Sequence, residues 1–480
     1  MNDPRQPATA ERPAFDAAAL ATATGGRVVR TVERPIRGGA VDSRRVEPGN
    51  AFFALPGERT DGHRFLAEAA NRGAAALVVS ELPPETQLDA LAAVGASVIA
   101  VGDGLAALQS AAAAWRSRFD PLIVGVTGSL AKTSVKEQAA EVLAERWGEQ
   151  VLRNPANENN EIGLPLTLLR LDAGHQLAVL EMGMYVPGDI ALLAALARPR
   201  IGVVTAVRET HLSRAGSIEA IEAGKRELVE ALPANGTAIL NADDERVSRM
   251  AAVLAPTVRV LRYGFAAAAD VTAVGIETLA ERGMRFTLRT PLGEQEVESP
   301  ALGRHGVHNA LAGAAVGIAA GLDMATIVAG LARPYRAPHR STLVEMGPWL
   351  VLDDSYNAAP DSMAAALDLL ATLPGRKVAV LGEMLELGEG SAAAHRAVGE
   401  HAGRVAGLVV AVGPTADLYA AGAAAGPAEV HALADHAAAA ELLAASLRPG
   451  DVVLLKGSRG AAMDELLPVL ERLAGAGARA

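Results

Sequence analysis

Residues 121–143, PLIVGVTGSLAKTSVKEQAAEVL, constrain the chain more than any other stretch. Ile123, Val124 and Val126 form a short apolar run of the kind that fills a buried parallel strand. Gly128, Ser129, Leu130 and Ala131 make a turn, Lys132, Thr133 and Ser134 follow, and Val135, Ala139, Val142 and Leu143 then recur at helical spacing. Strand, small-residue turn, Lys-Thr and helix form the plan of a phosphate-binding loop. In such a loop backbone N–H groups and the helix N-terminus face the phosphates, the lysine adds a point charge, and the next hydroxyl can ligate Mg²⁺. The general pattern G-x-x-x-x-G-K-[ST] asks for glycine at the positions of Val126 and Ala131. The spacing here is Gly125-x-x-Gly128-x-x-Ala131-Lys132-Thr133, and on this stretch alone an ordinary strand–turn–helix stays open.

At 480 residues the chain is too long for one core, so two to four domains are expected. Half the residues are hydrophobic and 21% are charged, a globular balance. A net charge of −11 argues against a nucleic-acid surface but allows a local anion site. With no cysteine, disulfides and thiolate metal sites are impossible. No apolar run reaches membrane-spanning length and MNDPRQPATAERP lacks the apolar centre of a signal peptide, so no membrane insertion and a cytoplasmic location are expected. No internal repeat of fixed period is visible.

Residues 1–12 are polar and proline-bearing, the composition of a disordered segment. Strands are expected at 51–55 and 75–79, with helices at 64–72 and 105–119, and Asp120-Pro121 reads as a boundary. From 120 to 331 strands and helices alternate, which predicts a doubly wound α/β unit with a mostly parallel sheet. Its strands are placed at 122–127, 178–180, 202–204 and 238–240, with Glu181 and Asn241 at strand ends, His211 beyond the third strand, and Lys225 in a helix beginning near Ser217. Ligands gather at such carboxyl ends, and with Lys132 and Thr133 at a neighbouring end, Glu181 reads as a Mg²⁺ ligand. From 332, strands at 349–352, 378–381, 408–412 and 452–455 predict a smaller doubly wound unit, again with polar clusters at its strand ends.

The order of motifs resembles the Mur ligases, the ATP-dependent amide ligases of peptidoglycan synthesis. VDSRRVEPGNAFFALPGERTDGH, GVTGSLAKTS, NPANENNEIGLPLTLL, AVLEMG, EAGKREL, GRHGVHNALAGAAV, DDSYNAAPDSM, AVLGEMLELG and LLKGSRG follow that family's sequence from about residue 40 to about 465. The resemblance implies three α/β domains. These are an N-terminal nucleotide-sugar-binding domain at 13–119, a central ATPase domain with the phosphate loop at 120–331, and a C-terminal Rossmann-like domain at 332–480. DDSYNAAPDSM favours the branch that joins D-alanyl-D-alanine to UDP-N-acetylmuramoyl-tripeptide through an acyl phosphate, working as a monomer in cell-wall growth, cell shape and division.

The resemblance also implies roles residue by residue. Gly125, Thr127, Gly128, Ser129, Ala131, Lys132, Thr133 and Ser134 would form the ATP loop, with Lys132 on the β/γ-phosphates. Asn309 would approach the adenine, Asp354 the ribose, and Arg340 the γ-phosphate from across a cleft. Thr133 and Glu181 would bind one Mg²⁺, and His211 and a carbamylated Lys225 a second. Asp42, Ser43, Arg44, Asn159 and Asn160 would meet the substrates, and Asn357 with the GEMLELG loop the incoming dipeptide. Lys132, Lys225, His211 and Arg340 are the catalytic candidates.

Three positions depart from the family pattern. Ala131 replaces the last loop glycine, Arg208 in TAVRETHL adds a cation near the metal candidates, and Glu158 adds a carboxylate between Asn157 and Asn159. Because Ser129, Lys132, Thr133 and Ser134 keep their phosphate-binding types, Ala131 is expected at negative φ, where its methyl is unstrained. The alternatives are a tripeptide-forming or polyglutamate-adding sister ligase, or a non-catalytic nucleotide-binding paralogue, which Ala131 would favour.

Overall fold

The structure, a computed structural model, describes residues 13–57, 60–209, 216–335 and 337–477. The disorder expected for 1–12 and the metal role expected for His211 fall outside the described residues.

The first sheet contains β1 (Arg27–Arg30), β2 (Gly39–Ala40), β3 (Ala51–Phe53), β4 (Ala76–Val79) and β5 (Ser97–Ala100), in the order β1-β5-β4-β3-β2. Only the β1–β5 pairing is antiparallel. The helix expected at 64–72 begins as a 3-10 turn, Gly62–Phe65, and becomes α-helical over Leu66–Asn71. The helix expected at 105–119 spans Gly104–Arg116. It joins the first sheet to the second, because Trp115 Nε1 donates to Leu171 O at 2.9 Å and the buried Arg116 Nε donates to Ala197 O at 3.1 Å. Side chains from both sheets therefore share one apolar core.

The second sheet contains β6 (Leu122–Thr127), β7 (Val151–Arg153), β8 (Leu177–Glu181), β9 (Ile201–Val204), β10 (Thr237–Asn241) and β11 (Arg259–Tyr263), in the order β11-β10-β9-β6-β8-β7. All five pairings are parallel, so both faces must be covered, and the four inner strands β6, β8, β9 and β10 are buried along nearly their whole length. The central strand β6 has β8 on one side and β9 on the other, so the chain reverses direction there and a crevice opens at its carboxyl end.

An antiparallel meander that the α/β alternation did not predict follows: β12 (Thr272–Thr278), β13 (Met284–Thr290) and β14 (Gly293–Ser299). Its buried residues Phe286, Leu288 and Val297 pack into the core that also contains the Gly303–Ala319 helix.

The last sheet contains β15 (Thr342–Met346), β16 (Trp349–Asp353), β17 (Lys377–Leu381), β18 (Leu408–Val412), β19 (Glu429–Leu433) and β20 (Val452–Lys456), in the order β15-β16-β20-β17-β18-β19. It is parallel except at β15, which pairs antiparallel with β16. The carboxyl ends of its strands and those of the second sheet both contribute residues to one cleft. No described helix is long and apolar enough to cross a membrane.

Candidate active site

The loop after β6 is fixed before any side chain reaches into the cleft. Thr127 is buried, and its Oγ1 donates to Met182 O at 2.8 Å, tying the ends of β6 and β8 together. Gly128 has φ +148°, and a Cβ there would lie 1.9 Å from Thr205 Oγ1, so both conformation and space require glycine. Ser129 N donates to Ala206 O at 2.7 Å, and its Oγ accepts from Arg208 N at 2.9 Å. Gly125, expected to help cradle phosphate, does not reach the cleft. It is a mid-strand residue on which a Cβ would lie 2.8 Å from Leu228 Cδ1 and 3.3 Å from Met182 Cε, so close packing demands the glycine.

Ala131 corrects the expectation of negative φ. It sits at φ +62°, ψ +2°, in the left-handed region, immediately before the helix Lys132–Trp147. The chain needs that turn so that the strand can feed directly into the helix, and it makes the turn with an alanine. No side chain caps this 16-residue helix, which leaves its first N–H groups directed into the cleft.

Lys132 Nζ donates to Gly128 O at 2.9 Å, so its stem folds back over the loop. Burial lowers its pKa, Glu181 opposes that shift, and Arg340 adds to it. Thr133 and Glu181 are both buried, and Thr133 Oγ1 donates to Glu181 Oε2 at 2.6 Å. The other carboxylate oxygen, Oε1, accepts from Asn159 Nδ2 at 2.7 Å. A hydroxyl in the first turn of the helix after β6 and a carboxylate at the end of the adjacent strand β8 thus meet. Among the described residues no group of three or more His, Cys, Asp or Glu side chains forms a metal cluster. Lys225 lies in the helix Ile218–Glu230, which begins beside Ser217 as expected and is capped by the Ser217 side chain. It is buried, and both burial and the neighbouring Lys132 cation push its pKa well below the ordinary lysine value.

Asn154 holds this arrangement from behind. It is fully buried, accepts from Glu181 N at 2.9 Å, and donates to Glu158 O at 2.8 Å and Glu181 O at 3.1 Å. The fully buried Lys136 Nζ donates to Asn154 O at 2.6 Å. These bonds set Asn159 against Glu181. Asn160 also lines the cleft, and its Oδ1 accepts from Gly163 N at 2.9 Å.

The opposite wall comes from the last sheet. The Arg340 guanidinium stacks 3.7 Å from the Tyr356 ring centroid. Residues on either side of Arg340 have left-handed backbones, His339 at φ +60° and Ser341 at φ +45°. They are fastened to the end of β16: His339 Nδ1 lies 2.8 Å from Asp353 Oδ2, Ser341 N donates to Asp354 Oδ1 at 2.8 Å, and Tyr356 N donates to His339 O at 3.0 Å. Arg340 is thereby carried by the last sheet. Lys456 is buried and donates to the Asp354 carboxylate and, at 3.0 Å, to Asn357 O. The cleft between the walls measures about 680 Å³ and takes in Lys132, Glu181, Asn159, Arg340, Asp354 and Asn357. A smaller cavity of about 230 Å³ adjoins it, lined by Asn309, Ser134, His305 and Tyr335 among others. Tyr335 is half-buried there, its hydroxyl facing the Asn309 and Ser134 side chains, and desolvation raises its pKa.

Asp42, Ser43 and Arg44 are not brought to this cleft. They form the turn after β2, where Arg44 Nη2 pairs with Asp42 Oδ2 at 2.7 Å and Ser43 Oγ donates to Glu68 Oε2 at 3.0 Å. The neighbouring Arg45 reaches Glu158 Oε1 at 2.8 Å. Sequence reasoning missed Asn154, His305, Tyr335, Tyr356 and Lys456 as site residues. All but Tyr335 lie inside quoted motifs, so motif membership was the available signal.

Three family models match the chain in order. The Mur ligase family catalytic domain covers residues 35–116, the Mur ligase middle domain 126–317, and the Mur ligase glutamate ligase domain 339–459. The UDP-N-acetylmuramoyl-tripeptide–D-alanyl-D-alanine ligase of Escherichia coli (strain K12) is 39% identical over 436 residues, covering 90% of this chain and 92% of that protein. The ligase of the same name from Mycobacterium tuberculosis (strain ATCC 25618 / H37Rv) is 39% identical over 487 residues, covering 92% of each. Among solved structures, MurF from Acinetobacter baumannii superposes with a TM-score of 0.85 at 30% identity, covering 96% of this chain and 99% of that one. MurF ligase from Thermotoga maritima in complex with ADP superposes with a TM-score of 0.78 at 28% identity, covering 92% and 98%. A phosphate loop, a hydroxyl–carboxylate pair and an arginine carried by a separate sheet occur here within a full-length match to that architecture, and the chain belongs to the Mur ligase family.

Proposed function

We propose that the chain is an ATP-dependent amide ligase that joins D-alanyl-D-alanine to UDP-N-acetylmuramoyl-tripeptide, producing a peptidoglycan precursor in the cytoplasm. The observation that carries this reading is the meeting of Lys132, Thr133 and Glu181 in one cleft with Arg340, in a chain that ligases of that name match over about 90% of its length. The units 13–119, 120–331 and 332–480 would divide the work between nucleotide-sugar, ATP and dipeptide, within a monomer.

The donor set fits a nucleoside triphosphate with Mg²⁺. An uncapped helix N-terminus and two cations suit the phosphates, and the Thr133–Glu181 pair offers a hydroxyl and a carboxylate to a hard cation. When bound, ATP supplies the phosphoryl group that turns the tripeptide carboxylate into an acyl phosphate, while Mg²⁺ neutralises phosphate charge. Lys132 and the loop N–H groups would hold the phosphates, with Ser129, Ala131 and Ser134 shaping the loop around them. Thr133 and Glu181 would hold one ion, and carbamylated Lys225 with His211 the second. Burial beside Lys132 favours the neutral Lys225 amine. That amine can add to CO₂ with loss of a proton, giving an anion that reaches where a shorter carboxylate would not. Arg340 would stabilise charge on the transferring group, Asn309 would meet the adenine, and Asp354 would exchange its Lys456 and Ser341 contacts for the ribose. Asn159 and Asn160 on one wall and Asn357 on the other would orient the two substrates, and closure of the walls would exclude water from the acyl phosphate. Asp42, Ser43 and Arg44, remote from the cleft, would serve the nucleotide-sugar end.

Phosphate release by the purified protein tests the reading. Release should require ATP, UDP-N-acetylmuramoyl-tripeptide and D-alanyl-D-alanine together. Equal release with the dipeptide or the tripeptide omitted would leave a simple ATPase, and no release at all would leave a binding paralogue.

A further inference from the structure

The loop that follows β17 reaches the cleft through Leu385, Glu386 and Leu387. Its backbone is gripped from behind by two buried polar rings that the chemistry above does not use. Tyr419, in the helix Ala416–Ala423, is fully buried, and its hydroxyl donates to Gly382 O at 2.9 Å. His395, in the helix Ser391–Val405, is also fully buried, and its Nε2 accepts from Met384 N at 3.0 Å. His395 Nδ1 lies 2.7 Å from Ser391 O, which assigns the proton to Nδ1 and leaves the Nε2 lone pair for Met384. The rings meet edge to face, with centroids 4.8 Å apart.

This contact depends on unusually close helices. A Cβ on Gly399 would lie 2.2 Å from Tyr419 O, and one on Gly403 would lie 2.5 Å from Ala423 O. Ser458 completes the grip, since Leu385 N donates to its Oγ at 2.8 Å and its N donates to Glu383 O at 2.9 Å. Apolar side chains could fill the space of His395 and Tyr419 without the cost of burying polar groups. What the polar groups add is a fixed backbone over residues 382–385, which runs into the cleft wall at Leu385.

We propose that His395 and Tyr419 are positioning residues that hold the Gly382–Leu385 backbone so that residues 385–387 present a preformed wall to the incoming dipeptide. The inference rests on the reading of that wall, with Asn357, as the dipeptide side of the cleft.

The test uses the full chain with two variants, Tyr419→Phe and His395→Gln. Tyr419→Phe removes one hydroxyl and keeps the ring, so it retains the packing if His395→Gln fails to fold. Loss of one buried hydrogen bond should raise the KM for D-alanyl-D-alanine about tenfold. The KM values for ATP and UDP-N-acetylmuramoyl-tripeptide should stay near wild type. Hydrogen exchange of the Met384 amide should accelerate, while amides of β17 and β18 keep their protection. Unchanged dipeptide KM and unchanged Met384 exchange in Tyr419→Phe would overturn the proposal. So would an equal change in all three KM values, the signature of a generally destabilised domain. If the wild type shows no dipeptide-dependent turnover, the functional reading falls instead, and Met384 exchange alone then decides whether the grip exists.

Discussion

Ala131 holds a methyl group in a backbone conformation that normally costs an L-residue about 1–2 kcal/mol. The neighbouring residue types could not reveal this, because Lys132, Thr133 and Ser134 describe what the loop binds while φ describes how the strand turns into the helix. Ala131→Gly should therefore raise the unfolding free energy by roughly 1 kcal/mol, after the extra backbone freedom of glycine is subtracted. Denaturant titration reads that change, and calorimetry at fixed Mg²⁺ should give an ATP Kd equal to or tighter than wild type. A less stable glycine variant would mean that residue 131 does not occupy the left-handed region in solution. Lys225 makes a second residue-scale case. A buried amine with its pKa well below the ordinary value, next to another cation, is a poor structural group and a good acceptor of CO₂. Lys225→Ala should lose turnover, and short carboxylic acids added to the buffer should restore part of it. Full activity without an additive would remove Lys225 from the site.

At the scale of elements, legibility followed burial. Strand β6 was read to the residue because it is apolar, central and followed by a helix with its own periodicity. Strands β8, β9 and β10 were located for the same reason, within a residue or so at each end. The meander β12–β14 was not seen. Its strand β14 has the pattern GEQEVES with only Val297 and Ser299 buried, and in β12 only Ala273 is buried, so neither carries a buried apolar run. Edge strands β15 and β19 were missed on the same grounds, each without a fully buried residue. The site was legible where a strand end carries the residue, as with Glu181 and Asp354. It was not legible where support comes from a distant helix, as with Tyr419, or from the linker residue Tyr335. Gly125 shows the opposite error: a glycine that fits a phosphate motif by spacing is explained by Leu228 and Met182 against its Cα.

Across the whole molecule, two of the three departures from the family pattern are charges used between units. Glu158 pairs with Arg45, linking the central unit to the turn after β2. Arg208 lines the cleft with the metal candidates Thr133 and Glu181, but it is not a free cation there. Its guanidinium bridges the buried Asp244 and, at 2.8 Å, Asp361 in the first turn of the helix Pro360–Thr372. Its backbone N meanwhile donates to Ser129 Oγ, so one residue connects the phosphate loop to the last unit. The two halves of the bridge should behave differently. Asp244 is almost fully buried and also accepts from Val207 N at 2.9 Å and Val247 N at 3.0 Å, so Asp244→Ala should cost about 3 kcal/mol or more of stability. The Asp361 side chain is 60% exposed and that of Arg208 is 43% exposed, so their direct coupling should be only about 0.2–1 kcal/mol and screened by salt. A double-mutant cycle on Arg208→Ala and Asp361→Ala, read as kcat/KM for ATP, should show that coupling at low ionic strength and lose it near 1 M salt, where the Debye length is about 3 Å. Asp361→Ala alone should leave the melting temperature nearly unchanged. Coupling that persists at high salt, or is absent at low salt, would mean that the Arg208–Asp361 contact does not help set how the last unit closes on the phosphate loop.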